Sequence, residues 1–234
     1  VWYNIQNKKV LNRLPLPWTV AAAQLGIGGV WVGLQWAFRL REHPGAGVLS
    51  GEGLRRVGRV AAFHGGGQLA TVLSLGAGAV SFTHIVKAME PFFAAMVAAV
   101  CFRQVFRPQV YATLVPVVAG VSLACYSEIH FKLLSFLAAM ASNLLFALRS
   151  NFSKSVMTRP PEGKRLSAAN LYGVVTVLAF ALLAPLAVGV EGSRWGGVWR
   201  DALATGVPAV GMTASIVLSG LSHYLNNEVG CLSL

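Results

Sequence analysis

The sequence predicts an all-α polytopic membrane protein, and three observations carry that prediction. Of its 234 residues, 55% are hydrophobic and only 12% are charged, whereas a soluble domain carries about 25% charged residues. Mean hydropathy is +0.61, and the charges fall in short clusters between long apolar blocks, as they do when loops hold the ions and spans exclude them. Between Arg59 and Arg103 lie 43 residues with two formal charges, Lys87 and Glu90. As helix that stretch runs roughly 65 Å, two crossings of a ~30 Å hydrocarbon core.

The elements follow in order, about eight spans in all. Val1 to Ile5 reads as the tail of a first span, followed by a polar loop from Gln6 to Arg13. Pro15 and Pro17 introduce a second span, Trp18 to Phe38, with Trp18 and Trp36 near its ends as interfacial aromatics. Gly29 and Gly33 within it make a GxxxG pair, read as an ordinary packing face. An arginine-rich loop, Arg39 to Arg59, precedes a third span over Val60 to Leu75 and a tight turn at Gly76 to Gly78. The fourth span is Val80 to Phe102. The fifth, Gln109 to Tyr126, follows a basic loop with Arg103 and Arg107. After a polar link come a sixth span, Leu133 to Val156, and a loop rich in Pro and charge, Met157 to Leu166. The seventh span is Ala168 to Val190 and the eighth Ala204 to Leu225. Val1 in first place and the apolar run up to Leu234 make both ends read as truncations.

Alternate loops divide Lys and Arg unequally. One side holds 6, namely Lys8, Lys9, Arg13, Lys132, Arg194 and Arg200. The other holds 12, and Lys87 inside a span completes the 19. The bias supports the span count and places the arginine-rich loops on the cytoplasmic or stroma-like side. It also accounts for the net charge of +11 as a topology signal, since no nucleic-acid motif or aromatic–basic interleaving is present. Cys101, Cys125 and Cys231 stand alone in apolar surroundings, with no metal spacing and no even count for a disulfide framework. No GxSxG, HExxH, P-loop or carboxylate pair points to catalysis, no cofactor is implied, and the chain reads as no enzyme.

Ionisable residues at membrane depth are the candidate functional groups, because each costs several kcal/mol unless paired or solvated. Lys87 is the eighth residue of its span, too deep to snorkel, with Glu90 three residues on. It either forms a structural pair with Glu90 or lines a cavity and meets an anionic substrate. Arg149 either snorkels from the end of the sixth span or faces inward with a planar fork suited to phosphate. Two cations facing one cavity suit a divalent anion. His64, Gln68 and Thr71 share one face of the third span and suggest a wet wall. His84 reads as a structural hydrogen-bonding residue rather than a proton relay.

Several separate motifs resemble one family. The run from Ala79 to Phe93 (AVSFTHIVKAMEPFF) is similar to the fourth-helix signature of plastid phosphate translocators, sugar-phosphate carriers of the drug/metabolite transporter superfamily. Asn4-Ile5-Gln6-Asn7-Lys8-Lys9 resembles the end of their first helix. Ala141-Ser142-Asn143, Arg149-Ser150 and Ser153-Lys154 resemble their sixth, and Glu191-Gly192 the loop after the seventh. The resemblance implies a ten-helix carrier of two inverted five-helix repeats, with residues 1–126 as the first and 127–234 as the start of the second within one transmembrane domain. It also implies strict exchange of inorganic phosphate for a phosphorylated C3, C5 or C6 compound across a plastid inner envelope. By the same resemblance Lys87 and Arg149 match substrate-contacting positions, and Thr71 a phosphate-contacting one. Gln68 stands where family members carry His or Asn, and Asn226 where a substrate-contacting Tyr precedes Asn227. Gln68 is therefore expected at the organic part of the substrate, with His84, Glu90 and Asn226 as supporting groups. A Lys-Arg pair that grips phosphate is expected on a ninth helix beyond Leu234. A nucleotide-sugar transporter of Golgi or ER, in the same superfamily, is the reading that stays open beside it.

Overall fold

A computed structural model describes residues 2–44, 51–129, 131–158, 167–204, 206 and 208–232. Ten α-helices are present among these residues: α1 Trp2–Arg13, α2 Pro17–Ala37, α3 Gly51–Ala77, α4 Val80–Lys87, α5 Glu90–Phe102, α6 Pro108–Ser127, α7 Leu133–Thr158, α8 Ala168–Glu191, α9 Trp195–Ala204 and α10 Ala209–Leu232. Among the described residues there is no strand. Pro91 sits at the start of α5, and Pro17 and Pro108 open α2 and α6, first-turn positions where a missing N–H costs nothing.

Four segments among the described residues, 80–102, 108–127, 133–158 and 168–204, are apolar enough to cross a bilayer on composition alone. Helices α2, α3 and α10 are as long but fall short of that standard. They carry the polar residues that face inward: Gln24, His64, Gln68, Thr71, Ser74, Ser219 and His223 are all buried. The outer surface is the reverse, with Val30, Leu34, Val100, Val115, Leu123 and Leu182 exposed. Polar groups inside and large apolar groups outside suit a bundle whose solvent is lipid.

The structure changes four expected boundaries. Residues 6–13 are helix rather than loop, because Asn7, Val10 and Leu11 turn inward and Lys8 has a structural use. The Lys8 ammonium donates to the carbonyls of Leu75 (2.6 Å) and Gly78 (2.9 Å), so one cation satisfies the open carbonyl end of α3. Helix α3 starts at Gly51, nine residues before the expected Val60. Trp195–Ala204 forms a short separate helix, and the last span runs from Ala209 to Leu232 instead of Ala204 to Leu225. The expected fourth span is two helices broken at Ala88 and Met89. Pro91 causes the break: it has no N–H, and its ring crowds the carbonyl of Lys87 four residues earlier. The chain tightens there, with the Met89 N–H on the Val86 carbonyl at 3.1 Å, and Asn143 of α7 donates to the same carbonyl at 2.8 Å. From residue 159 onward the charged loop expected up to Leu166 lies outside the described residues.

Helix α3 packs on α7 and α8, α8 packs along α2, and α10 lies against α2 and α1. Helix α6 is peripheral, almost wholly exposed. Each end of the α2–α8 pair is tied. Glu191 at the end of α8 accepts from the backbone N–H groups of Trp18 (3.2 Å) and Thr19 (2.8 Å) and from the Thr19 hydroxyl (2.8 Å). Leu16 supplies no side-chain cap to α2, so this buried carboxylate does, where the helix dipole favours an anion. At the far end the Trp36 indole donates to Asn170 at 3.2 Å.

The α3–α4 turn is equally tight. A Cβ built on Gly78 would lie 2.3 Å from the Ser135 hydroxyl oxygen. Ser135 cannot easily give way, since its hydroxyl donates to the Ser74 carbonyl while the Ser74 hydroxyl donates to the Ser135 carbonyl. Gly78→Ala is expected to cost about 1–3 kcal/mol, read as a lower thermal midpoint in detergent; an unchanged midpoint would contradict the close approach.

Candidate functional site

The break after Lys87 places that residue at the end of α4, facing α7. Its ammonium donates to the Ser142 hydroxyl at 3.0 Å and lies 4.7 Å from the centre of the Phe146 ring. Thr71 of α3 meets Ser142 at 2.7 Å, oxygen to oxygen, and donates to the Gly67 carbonyl within its own helix. Arg149 sits 5.2 Å from the centre of the same Phe146 ring. Its guanidinium lies 3.3 Å from the Asn227 side-chain oxygen and 3.5 Å from His64 Nδ1. Ser142, Phe146 and Arg149 are spaced four and three apart, so one face of α7 carries all three. Two cations and two hydroxyls thus converge on one aromatic ring inside the bundle, and Arg149 is only 6% exposed.

Arg149 therefore does not snorkel. It faces inward beside a closed ring of polar and aromatic groups: His64 stacks on His223 (5.8 Å between centroids) and meets Tyr172 edge-on (5.4 Å). Arg149 Nε, His64 Nε2 and the Tyr172 hydroxyl are buried without a hydrogen-bond partner. Arg149, Ser153, Leu171, Tyr172, Val175 and Cys231 line a cavity with about 10 Å³ of space for a water, roughly one molecule.

Among the described residues neither cation is ion-paired. Among the described residues the ion pairs are Arg41–Glu228 and Arg56–Glu52. Lys87 and Glu90 form no ion pair, and the helix break falls between them. Two cations beside hydroxyls at membrane depth are groups of the kind that attract an anion, and a planar guanidinium and an ammonium have the chemistry to bind a phosphate group.

The other predicted residues lie apart from this cluster. The Gln68 amide donates to Gln24 of α2, and Gln24 donates to Ser219 of α10 at 2.7 Å, a polar chain crossing three helices. His84 pairs with Asn4 of α1 at 2.9 Å. Glu90 is half-buried at the start of α5. Asn226 is exposed, and the next residue, Asn227, reaches Arg149 in its place. Sequence reasoning missed Ser142, Phe146, His223 and Gln24 as site groups. The spacing of Ser142 and Phe146 ahead of Arg149 was the available signal; His223 and Gln24 had none, because their partners are remote in the chain.

Comparison with known proteins identifies the family. The whole chain, residues 1–234, matches the profile of the Triose-phosphate Transporter family. It is 35% identical over 235 residues to glucose-6-phosphate/phosphate translocator 1, chloroplastic, of Arabidopsis thaliana, covering 100% of this chain and 58% of that protein. It is 37% identical over 195 residues to the triose phosphate/phosphate translocator of non-green plastids of Brassica oleracea var. botrytis, covering 83% of this chain and 47% of that one. Phosphoenolpyruvate/phosphate translocator 3, chloroplastic, of Oryza sativa subsp. japonica is 40% identical over 195 residues, covering 83% and 48%. The chain spans about half the length of the curated relatives it matches. With apolar helices long enough to span a bilayer and a family match over the whole of its own length, this polytopic membrane chain belongs to the triose-phosphate transporter family.

Proposed function

We propose that the protein exchanges inorganic phosphate for a phosphorylated C3, C5 or C6 metabolite across a plastid inner envelope, by alternating access. The observation that carries this reading is the convergence of Lys87 and Arg149 on Phe146, with the Thr71 and Ser142 hydroxyls between α3 and α7. The relatives are named as phosphate translocators of glucose 6-phosphate, triose phosphate and phosphoenolpyruvate, which supports phosphate as the shared ligand. In this reading Lys87 and Arg149 neutralise the phosphate, Thr71 donates to it, and Gln68 meets the organic part. An empty site that concentrates cations reorients slowly, which accounts for obligate exchange. The protein works as a carrier and makes no covalent change in its cargo.

The packing pattern supports two inverted repeats, with spans one to five (α1, α2, α3, α4–α5, α6) in one and α7, α8 and α10 opening the other. A half-turn carrying each span to the one five places on takes α3 against α7 into α10 against α1. It takes α3 against α8 into α10 against α2, and α2 against α8 onto itself. All of these packings are present. The broken fourth span, with Asn143 donating to the Val86 carbonyl beside the break, is the kind of discontinuous helix that borders a midplane site.

The test is counter-exchange in liposomes by protein expressed from its complete reading frame. Labelled phosphate, triose phosphate, phosphoenolpyruvate, glucose 6-phosphate and a nucleotide sugar are offered outside. Uptake of phosphate and phosphorylated compounds only when phosphate is loaded inside is the expected result. Nucleotide-sugar uptake without phosphate counter-transport would move the assignment to the nucleotide-sugar class, and absence of any phosphate exchange would overturn it.

A further inference from the structure

Two adjacent rows of α10 do different work. One row holds His223 and Asn227, which meet His64 and Arg149. The next holds Tyr224 and Glu228, which turn toward α2 and α8. Tyr224 is fully buried, its ring 5.1 Å from that of Tyr172, and a Cβ on Gly28 of α2 would lie 2.8 Å from it. The rotation of α10 that presents Asn227 to Arg149 is therefore set by what holds Tyr224 and Glu228.

One side chain holds both. Arg39 takes a left-handed conformation (φ 54°), and the N–H groups of Leu40 and Arg41 return to the Gln35 carbonyl. This turn sends Arg41 back over the helix ends on the arginine-rich face. Its guanidinium donates to the Ala169 carbonyl (3.1 Å), to the Tyr224 hydroxyl (3.2 Å) and to the Glu228 carboxylate, and the Tyr224 hydroxyl donates to the same carboxylate at 3.4 Å. The end of α2, the first turn of α8 and the last turns of α10 are thus joined by one cation. Both ion-pair partners are largely buried, with side chains 17% and 11% exposed, unlike Arg56–Glu52 at the surface.

Nine residues deeper on α10, Ser219 is tied to Gln24. Nine residues of helix rise about 13 Å, so a tilt of about 10° around that contact moves the Glu228 end by about 2 Å. That shift separates Glu228 from Arg41, and it withdraws Asn227 from Arg149 at the same time. The α2–α8 pair is tied at both ends and stays as the frame.

We propose that Arg41 and Glu228 are a positioning pair for the phosphate site: closed, they hold Asn227 on Arg149 and seal the site from the arginine-rich face; open, they admit the substrate from that face. This inference rests on the exchanger reading. Its test is the apparent KM for phosphate measured separately from each face in oriented proteoliposomes. Arg41→Ala and Glu228→Gln are expected to lower KM at the arginine-rich face and raise it at the other, each about fivefold, because losing the pair repopulates one open state at the expense of the other. The double exchange Arg41→Glu with Glu228→Arg is expected to bring both values back toward the wild type. Equal changes at both faces, or a double variant no better than the singles, would reduce the pair to a structural role and overturn the proposal. If the unaltered protein exchanged no phosphate, the exchanger reading would fail. The pair would still be decided by the distance between spin labels at Ser167→Cys and Val229→Cys, with Cys101, Cys125 and Cys231 replaced by Ala. Arg41→Ala must lengthen and broaden that distance; an unchanged distribution would dispose of it.

Discussion

Phosphate exchange is expected to fall by about tenfold to a hundredfold when Lys87 becomes alanine. The ammonium is held between the Ser142 hydroxyl and the Phe146 ring, with no carboxylate paired to it. A hydrogen bond from a charged group is worth about 1.5–3 kcal/mol, and each 1.4 kcal/mol is tenfold in affinity. The fold should survive, because Thr71 and Ser142 remain bonded to each other and Asn143 still holds the broken span. Removing a desolvated, unpaired cation relieves the protein of a cost, so Lys87→Met is expected to melt no lower than wild type while losing transport. Initial rates in liposomes and thermal midpoints in detergent check the two halves. Undiminished phosphate exchange in the alanine variant would remove Lys87 from the site.

Arg149→Lys is expected to be nearly as damaging, about tenfold or more, although charge is kept. The guanidinium reaches both His64 and Asn227 while lying over Phe146. An ammonium is a point charge on a flexible stem and cannot hold those positions together. Arg149→Met should behave as Lys87→Met does, inactive and at least as stable. Should Arg149→Lys exchange phosphate at the wild-type rate, the guanidinium's shape would be irrelevant and only its charge would matter.

Several groups of the candidate site could be picked out in the chain. Lys87 and Arg149 stood out because a lipid-facing span cannot carry them, and His64, Gln68 and Thr71 showed a common helical face. What periodicity did not show was that Gln68 is engaged by α2, or that Asn227 rather than Asn226 turns to Arg149. A one-residue difference is about 100° around a helix, and that rotation is set by tertiary contacts, the packing of Tyr224 against Tyr172 and Gly28 and the hold of Arg41 on Tyr224 and Glu228. The Lys87–Glu90 spacing was misleading for a local reason, since Pro91 interrupts the helix on which that spacing depends.

By itself the sequence determined the environment and the chemistry: apolar blocks of bilayer length, basic loops biased to one side, and cations too deep to be solvated. Hydropathy and charge are properties of single residues summed along a helix, so they need no partner to be read. The tertiary structure decided which cation meets which hydroxyl, that Glu191 caps α2 and Lys8 caps α3, and that Arg41 ties α10 to its neighbours. Those contacts join residues 55 to 187 positions apart. Their geometry depends on helix rotation and crossing, which composition and spacing along one strand of sequence do not specify.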